Sequence, residues 1–297
     1  MSILVEHPTP PVQAFEAIAG VYDDVFSDSP IGRAQRRAVW NEMDREFREG
    51  QSILEINCGT GIDALHLASR GVRVDACDSA PGMIARAQQR ADLYPGLVVP
   101  VRFRCLPIEE TERLTPDKPY DGVLSNFSGL NCVAELQPLV RNLAKLVRPG
   151  GRVVLCVFGT FCLWEVLWYL RKGDARKALR RIRRGGAEAV LAPGATIQVR
   201  YRSVRSLRRA FSPHFRLTRF RGVGVAVPPS YAVSIPANFP RLFRLAAAID
   251  PVLGRYAGFR SLADHVVLIF ERVTTAAELE GREDYAIDGV RHDRRGV

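Results

Sequence analysis

The 297-residue sequence predicts an α/β fold, a mainly parallel sheet with helices on both faces. Three observations predict it. Short apolar runs of β type alternate with runs of helical period between residues 52 and 158. One of them, Ile53-Leu54-Glu55-Ile56, ends in a glycine-rich turn that opens a helix, and the next ends on a carboxylate, Asp78. Alternation of this kind implies right-handed strand–helix–strand units, whose ligand sits beyond the carboxyl ends of the strands.

Each element has its own signal. Ala14, Ile18, Val21 and Tyr22 recur at helical spacing, then Ala38, Trp40 and Met43, so residues 1–50 read as a helical cap behind a Pro-rich leader. Residues 51–158 read as the core: strand 52–56, helix 63–69, strand 72–77, helix 80–90, strand 101–105, strand 122–125, helix 136–146 and strand 152–158. After this fifth strand, residues 159–200 read as a basic, helical insertion with its arm at 161–186. Further strands are expected at 197–204, 217–225 and 266–272, the segment 201–273 completing the core, and 274–297 reads as a polar, disordered tail.

Composition excludes several classes. At 47% hydrophobic residues the chain buries a full core, and its 24 glycines and 19 prolines show no period, so whole-chain disorder and collagen-like repeats are excluded. The six cysteines form no CxxC pair, which argues against a zinc site or a disulfide framework, and no metal is expected. The start has neither a positive n-region nor an apolar h-region, so a cytoplasmic setting is expected. Residues 153–170 hold a single charge, Glu165, but Gly159-Thr160 breaks the run, and no membrane span is expected. Net charge is +10. Sixteen Lys or Arg against Asp174 and Glu188 give residues 171–221 a local +14, leaving −4 elsewhere, which suits an anionic membrane surface, an acidic substrate or nucleic acid.

The turn Asn57-Cys58-Gly59-Thr60-Gly61 lets backbone approach a ligand at a helix amino end. Gly59-x-Gly61-x-x-Ala64 also fits a dinucleotide fingerprint, so an NAD-dependent oxidoreductase competes. Glu55 disfavours it: a pyrophosphate gains nothing from a carboxylate inside the first strand, whereas a cationic amino-acid moiety does. Asp78, at the end of the second strand, is placed to accept hydrogen bonds from both hydroxyls of a ribose.

With Tyr22-Asp23, Glu55 to Gly61, Asp78-Ser79 followed by Met83, Tyr120-Asp121-Gly122-Val123 leading to Ser125-Asn126, and Arg148-Pro149-Gly150-Gly151, the chain resembles the class I S-adenosylmethionine-dependent methyltransferases. The likeness is to their small-molecule, type 11/25-like branch, and it covers residues 14–158 well and 201–272 loosely. It implies a Rossmann-like core and S-adenosyl-L-methionine as cofactor. It further implies that Asn57, Gly59 and Gly61 line the methionine part, that Glu55 organises the loop, that Asp78 with Ser79 holds the ribose, that Met83 and Ile108 flank the adenine, and that Asn126 and Phe127 sit near the sulfonium, with Tyr22 as a lid. Two positions depart from the family. Asn57 stands where Gly is common, and Asn tolerates left-handed dihedrals; Pro107 stands where Asp is common, which shifts adenine recognition to the Ile108 backbone and Glu109.

The implied reaction moves a methyl group to oxygen or nitrogen of a small-molecule or lipid-like acceptor. An oxygen acceptor needs a base, for which His265 beside Asp264, His214 and Tyr22 are the candidates. His66 reads as a packing or surface residue. Because neighbouring residues of a strand face opposite ways, the Asp264–His265 pair is not expected to act together. Ser125-Asn126-Phe127-Ser128 stands where enzymes methylating exocyclic base amines carry Asp/Asn-Pro-Pro-Tyr/Phe, so nucleic acid is the less favoured partner. In the arm, Lys172, Arg176, Arg180 and Arg184 recur every four residues beside Leu163, Trp164, Leu167, Trp168 and Leu170. Both a pocket lid and a helix in peripheral contact with anionic membrane fit that pattern, and a non-catalytic basic RNA- or membrane-binding protein is the non-enzyme alternative.

Overall fold

The structure, a computed structural model, describes residues 11–274 apart from Arg184. The leader, the fourth position of the basic stripe and nearly all of the polar tail therefore lie outside the described residues. The cap is α1 (Pro11–Ile18), a π-helical turn at Asp23–Ser27 and α2 (Pro30–Glu46). Helix α2 begins where it does because Ser29 Oγ accepts the Gly32 N–H at 3.0 Å and Pro30 needs no partner at the first position.

The core alternates β1 (Ser52–Ile56), α3 (Ile62–Ala68), β2 (Arg73–Asp78), α4 (Pro81–Asp92), β3 (Val101–Cys105), β4 (Tyr120–Ser125), α5 (Leu136–Leu146) and β5 (Val147–Phe158). The chain then adds α6 (Leu163–Arg171), α7 (Ala175–Ala178), β6 (Ala187–Ala192), β7 (Ala195–Val199), α8 (Val204–Phe211), β8 (Phe215–Val223), α9 (Ser234–Asn238), α10 (Pro240–Leu253), α11 (Ala257–Arg260) and β9 (His265–Arg272). Seven strands form one sheet in the order β3-β2-β1-β4-β5-β9-β8, with β1 to β5 parallel and β9 antiparallel to both neighbours. Strand periodicity divides the core: Leu54 and Ile56 pack with α5 and α8 on one face, and Ile53 packs with Val39, Met43 and Leu67 on the other.

Several boundaries differ from expectation. The strand expected at 197–204 ends at Val199 and belongs to a separate two-stranded sheet with β6, and Val204 instead starts a helix because Ser203 Oγ accepts the Ser206 N–H at 3.1 Å. The arm is not one helix to residue 186, since Gly173 turns left-handed at φ +74 and the chain continues as α7 and a single 3-10 turn at Arg180–Ile182. Strand β5 starts five residues earlier than residue 152, running through a kink at Gly150, φ +76. Arg148-Pro149-Gly150-Gly151 thus lies at the amino edge of the sheet, where Arg148 Nε donates to Asp121 Oδ1 at 2.7 Å and Asp121 Oδ2 accepts the Ser52 N–H at 2.8 Å.

Candidate active site

The chain leaves β1 toward β2 on one side and leaves β4 toward β5 on the other, so a crevice opens beyond the carboxyl ends of β1 and β4. Three left-handed non-glycine residues mark it: Asn57 at φ 52, Phe127 at φ 44 and Ser128 at φ 72. The two loops are tied together, Asn57 Nδ2 donating to the Asn126 carbonyl at 3.2 Å while Asn57 Oδ1 accepts from Ser125 Oγ at 2.8 Å. Asp78, at the end of β2, clamps the glycine loop, its Oδ2 accepting the Gly59 N–H at 2.9 Å and its Oδ1 the Ala80 N–H at 3.0 Å. Burial raises its pKa against the opposing pull of those N–H groups.

Tyr22, Asn57, Gly59, Asp78, Ser79, Met83, Ile108, Glu109, Asn126 and Phe127 all line this cleft. Gly59, at φ +55, has no atom within 4 Å of where a Cβ would stand, so its backbone faces open space. Two residues expected beside them do not line it. A Cβ on Gly61 would stand 2.8 Å from the Ala87 Cβ and 2.9 Å from the Phe103 ring, so its lack of a side chain serves the packing of α3 on α4 and β3. Glu55 lies beneath the loop, 1% exposed, with Oε2 unpartnered, and burial lifts its pKa well above the usual carboxylate value.

Sequence reasoning missed an ionic layer under the cleft. Asp63, on the first turn of α3, pairs with Arg36 from the cap and accepts from Trp40 Nε1 at 2.6 Å and Asn126 Nδ2 at 2.8 Å. The Arg36 guanidinium lies 4.7 Å from the centre of the Phe127 ring. Asp23 fastens the cap to the loop, accepting from Thr60 Oγ1 at 2.6 Å and Arg90 Nη2 at 2.6 Å. Such pairs span the cap and the core, and their only sequence signal is an acid in the first turn after a glycine loop.

A second cavity of about 510 Å³ adjoins the cleft and shares Phe15, Tyr22, Phe127 and Cys132 with it. His265 lines it, stacked on Phe158 at 4.7 Å between ring centres and edge-on to Phe127 at 5.5 Å. The expectation that Asp264 and His265 face apart is overturned: β9 starts at His265, so Asp264 escapes strand alternation, and its Oδ2 lies 3.3 Å from His265 Nδ1. Asp264 also accepts from Gln35 Nε2 at 3.1 Å and Arg181 Nη2 at 2.6 Å. Burial alone would raise its pKa, but His265 and the Arg181 guanidinium hold it well below the usual range. Arg180 of the basic stripe and its neighbour Arg181 both bind the buried Glu165 of α6, so both turn inward.

The other two candidate bases fare differently. His214 stands beside Phe215, which pairs with Arg272 at the far end of β9, seven residues and roughly 23 Å from His265; it is remote from the cleft and is removed as a base. Tyr22 lines both spaces, but burial pushes its hydroxyl up to about 12, so near neutral pH it donates rather than accepts a proton. His66 stacks on Trp40 at 3.9 Å and bonds Asp44, away from the cleft, as expected. Among the described residues no group of His, Cys, Asp or Glu is arranged to hold a metal ion, and no helix is long and apolar enough to cross a membrane.

Residues 53–151 match the family model described as a methyltransferase domain. The demethylmenaquinone methyltransferase of Mycolicibacterium paratuberculosis is 28% identical over 161 residues, covering 53% of this chain and 63% of that protein. The chain thus spans less than two thirds of the length of that curated relative. Among solved structures, the [4+2]-cyclase SpnF superposes with a TM-score of 0.59 at 15% identity, covering 90% of this chain and 97% of that one. The N-methyltransferase NodS from Bradyrhizobium japonicum WM9, solved with S-adenosyl-L-homocysteine, gives 0.51 at 13% identity, covering 90% and 100%. At these identities the structural likeness shows the fold, which is that of the class I methyltransferases.

Proposed function

We propose that this chain, whose residues 53–151 form a methyltransferase domain, binds S-adenosyl-L-methionine and transfers its methyl group to a nucleophilic atom of a small, lipid-like acceptor. One observation carries the reading: two adjoining spaces share Tyr22 and Phe127, one floored by the Asp78-clamped glycine loop and the other by a histidine with its own carboxylate.

The residues of the first space fit the cofactor. The open backbone of Gly59 leaves room for a ligand's close approach, the unfilled acceptor capacity of Asp78 suits ribose hydroxyls, and the buried, unpartnered Glu55 oxygen beneath the loop suits an ammonium or its bound water. Asn57 and Asn126 would lie along the methionine portion, and Met83 with Ile108 and Glu109 would enclose the adenine. When bound, the cofactor supplies a methyl group on positively charged sulfur, the electrophile of the reaction.

Everything else falls to positioning and proton handling. The aromatic walls Phe127, Phe158 and Tyr22 exclude water and lay a flat acceptor against the cleft. Asp264, kept ionised by Arg181, has its Oδ2 3.3 Å from His265 Nδ1 and favours the proton of the imidazole on that nitrogen, which leaves the lone pair of Nε2 to take the proton of an acceptor hydroxyl as its oxygen is alkylated. The acceptor class rests on the relative's name, a lipid-like quinone methyltransferase, and on the aromatic lining of the cavity. A lipid-like acceptor would be met at a membrane surface, which keeps peripheral membrane contact within the proposal.

The test is methyl transfer from S-adenosylmethionine to a reduced, short-chain hydroxynaphthalene. We expect His265→Ala to lower kcat by about 10²-fold or more with cofactor affinity unchanged. A variant turning over like the wild type would remove His265 from the reaction.

A further inference from the structure

We propose that the outer face of α10, with the ends of α9 and α11 beside it, docks on an anionic bilayer and holds the acceptor cavity at its surface. The inference rests on the lipid-like acceptor proposed above, and it starts from a helix that buries little of itself. Of the fourteen residues of α10 only Phe243 and Asp250 are fully buried. Leu242, Leu245, Ile249 and Val252 are 62%, 58%, 41% and 49% exposed. At 3.6 residues per turn they share an arc of roughly 80° on the side facing away from Phe243. Phe239 precedes this stripe and Tyr256 and Phe259 come after it, each about half exposed or more. A contiguous apolar surface of this kind marks a contact site rather than a solvated face.

The charge around the stripe selects the partner. Between Tyr231 and Ala263 the sole acid is Asp250, and its buried carboxylate accepts the N–H groups of Gly224, Ala226 and Val227. The same stretch carries Arg241, Arg244 and Arg255 exposed and Arg260 half-buried over the Phe220 ring. Apolar and aromatic side chains flanked by arginines, with no exposed acid, are the composition of an interfacial helix, whose cations meet anionic headgroups. A second copy of the chain is the poorer occupant, because a two-fold contact would set arginine near arginine with no exposed acid in the segment to neutralise them. The segment that enters α9 also reaches the acceptor cavity. Tyr231, just before α9, lines that cavity and packs against Trp168 at 5.9 Å and Tyr169 at 5.6 Å between ring centres. On α6, Leu167 and Leu170 are exposed, and Lys172 lies over the Trp168 ring at 4.8 Å. Membrane contact therefore moves from the arm, whose Arg180 and Arg181 are turned inward, to α10.

Co-sedimentation of the full chain with vesicles tests this, using phosphatidylglycerol and phosphatidylcholine in equal parts and phosphatidylcholine alone. The wild type should sediment with the anionic vesicles and at least about tenfold less with the neutral ones, the sum of several headgroup contacts. The triple variant Leu242→Ser, Leu245→Ser, Ile249→Ser and the double variant Arg241→Glu, Arg244→Glu should each lose binding by at least about tenfold. All five side chains are exposed, so cofactor titration of both variants should match the wild type and report an intact fold. Wild-type protein left in the supernatant at low salt, or variants that sediment like it, would overturn the proposal. So would a dimer in vesicle-free sedimentation that the serine variant dissolves, which would assign the face to a second copy. Vesicle binding is read without cofactor or acceptor, so its failure is distinct from a failure of methyl transfer.

Discussion

Asp78 serves two backbones before it serves any ligand, since its oxygens already hold Gly59 and Ala80. Replacing it with Ala removes that clamp and the acceptors for a ribose together, and we expect S-adenosylmethionine affinity to fall by roughly 1.5 to 3 kcal/mol. Calorimetry on the folded variant checks this, and an unchanged affinity would take Asp78 out of the site. Glu55 makes stability depend on pH. Its folded pKa is raised by burial, so the native state holds a proton that the unfolded chain releases, and stability falls as pH rises above the unfolded carboxylate value. Glu55→Gln has no such slope, so its melting temperature should gain on the wild type as pH rises above the ordinary carboxylate value, and parallel curves would contradict the upward shift of Glu55. Both residues were legible as carboxylates at unusual places in strands, and Asn57 as the one side chain fit for a left-handed turn. Arg36 and Asp63 were not, because their pairing joins the cap to the core across 27 positions, and no local pattern encodes it.

Among the elements, the strands and helices of residues 52–158 were legible because each pairs or packs with a near neighbour in sequence, and periodicity records that. The insertion was not. The β6–β7 hairpin carries alternation too weak to compete with the surrounding basic residues, and the helical pattern through Arg180 ends at Gly173 because the ion pairs to Glu165 and Asp264 draw Arg180 and Arg181 inward. The single charge in an otherwise apolar run, Glu165, was the available hint. That network pins the insertion to β9. Arg181→Met would leave the buried Asp264, 3% exposed at the side chain, without its guanidinium and would take one donor from Glu165, which Arg180 still holds, and should destabilise the protein by about 3 to 5 kcal/mol in denaturant titration. A loss under about 1 kcal/mol would mean that the network does not hold the insertion.

At the scale of the whole molecule, the order β3-β2-β1-β4-β5-β9-β8 leaves one crevice where the chain reverses direction across the sheet, and the antiparallel β9 delivers His265 to the same edge. The parallel half of that order comes from the alternation in the sequence; the return of β9 between β5 and β8 depends on long-range pairing and was read only as additional strands. Cofactor identity is the central claim, because every role assigned to the second cavity depends on what fills the first. Titration calorimetry of the wild type and of Gly59→Val with S-adenosylmethionine, S-adenosylhomocysteine and NAD measures it most directly. We predict saturable binding of both S-adenosyl compounds by the wild type, no binding of NAD, and loss of binding in Gly59→Val, whose β-branched side chain would fill the open space at the loop. Binding of NAD in preference to S-adenosylmethionine, or an unchanged affinity in a folded Gly59→Val, would contradict the account.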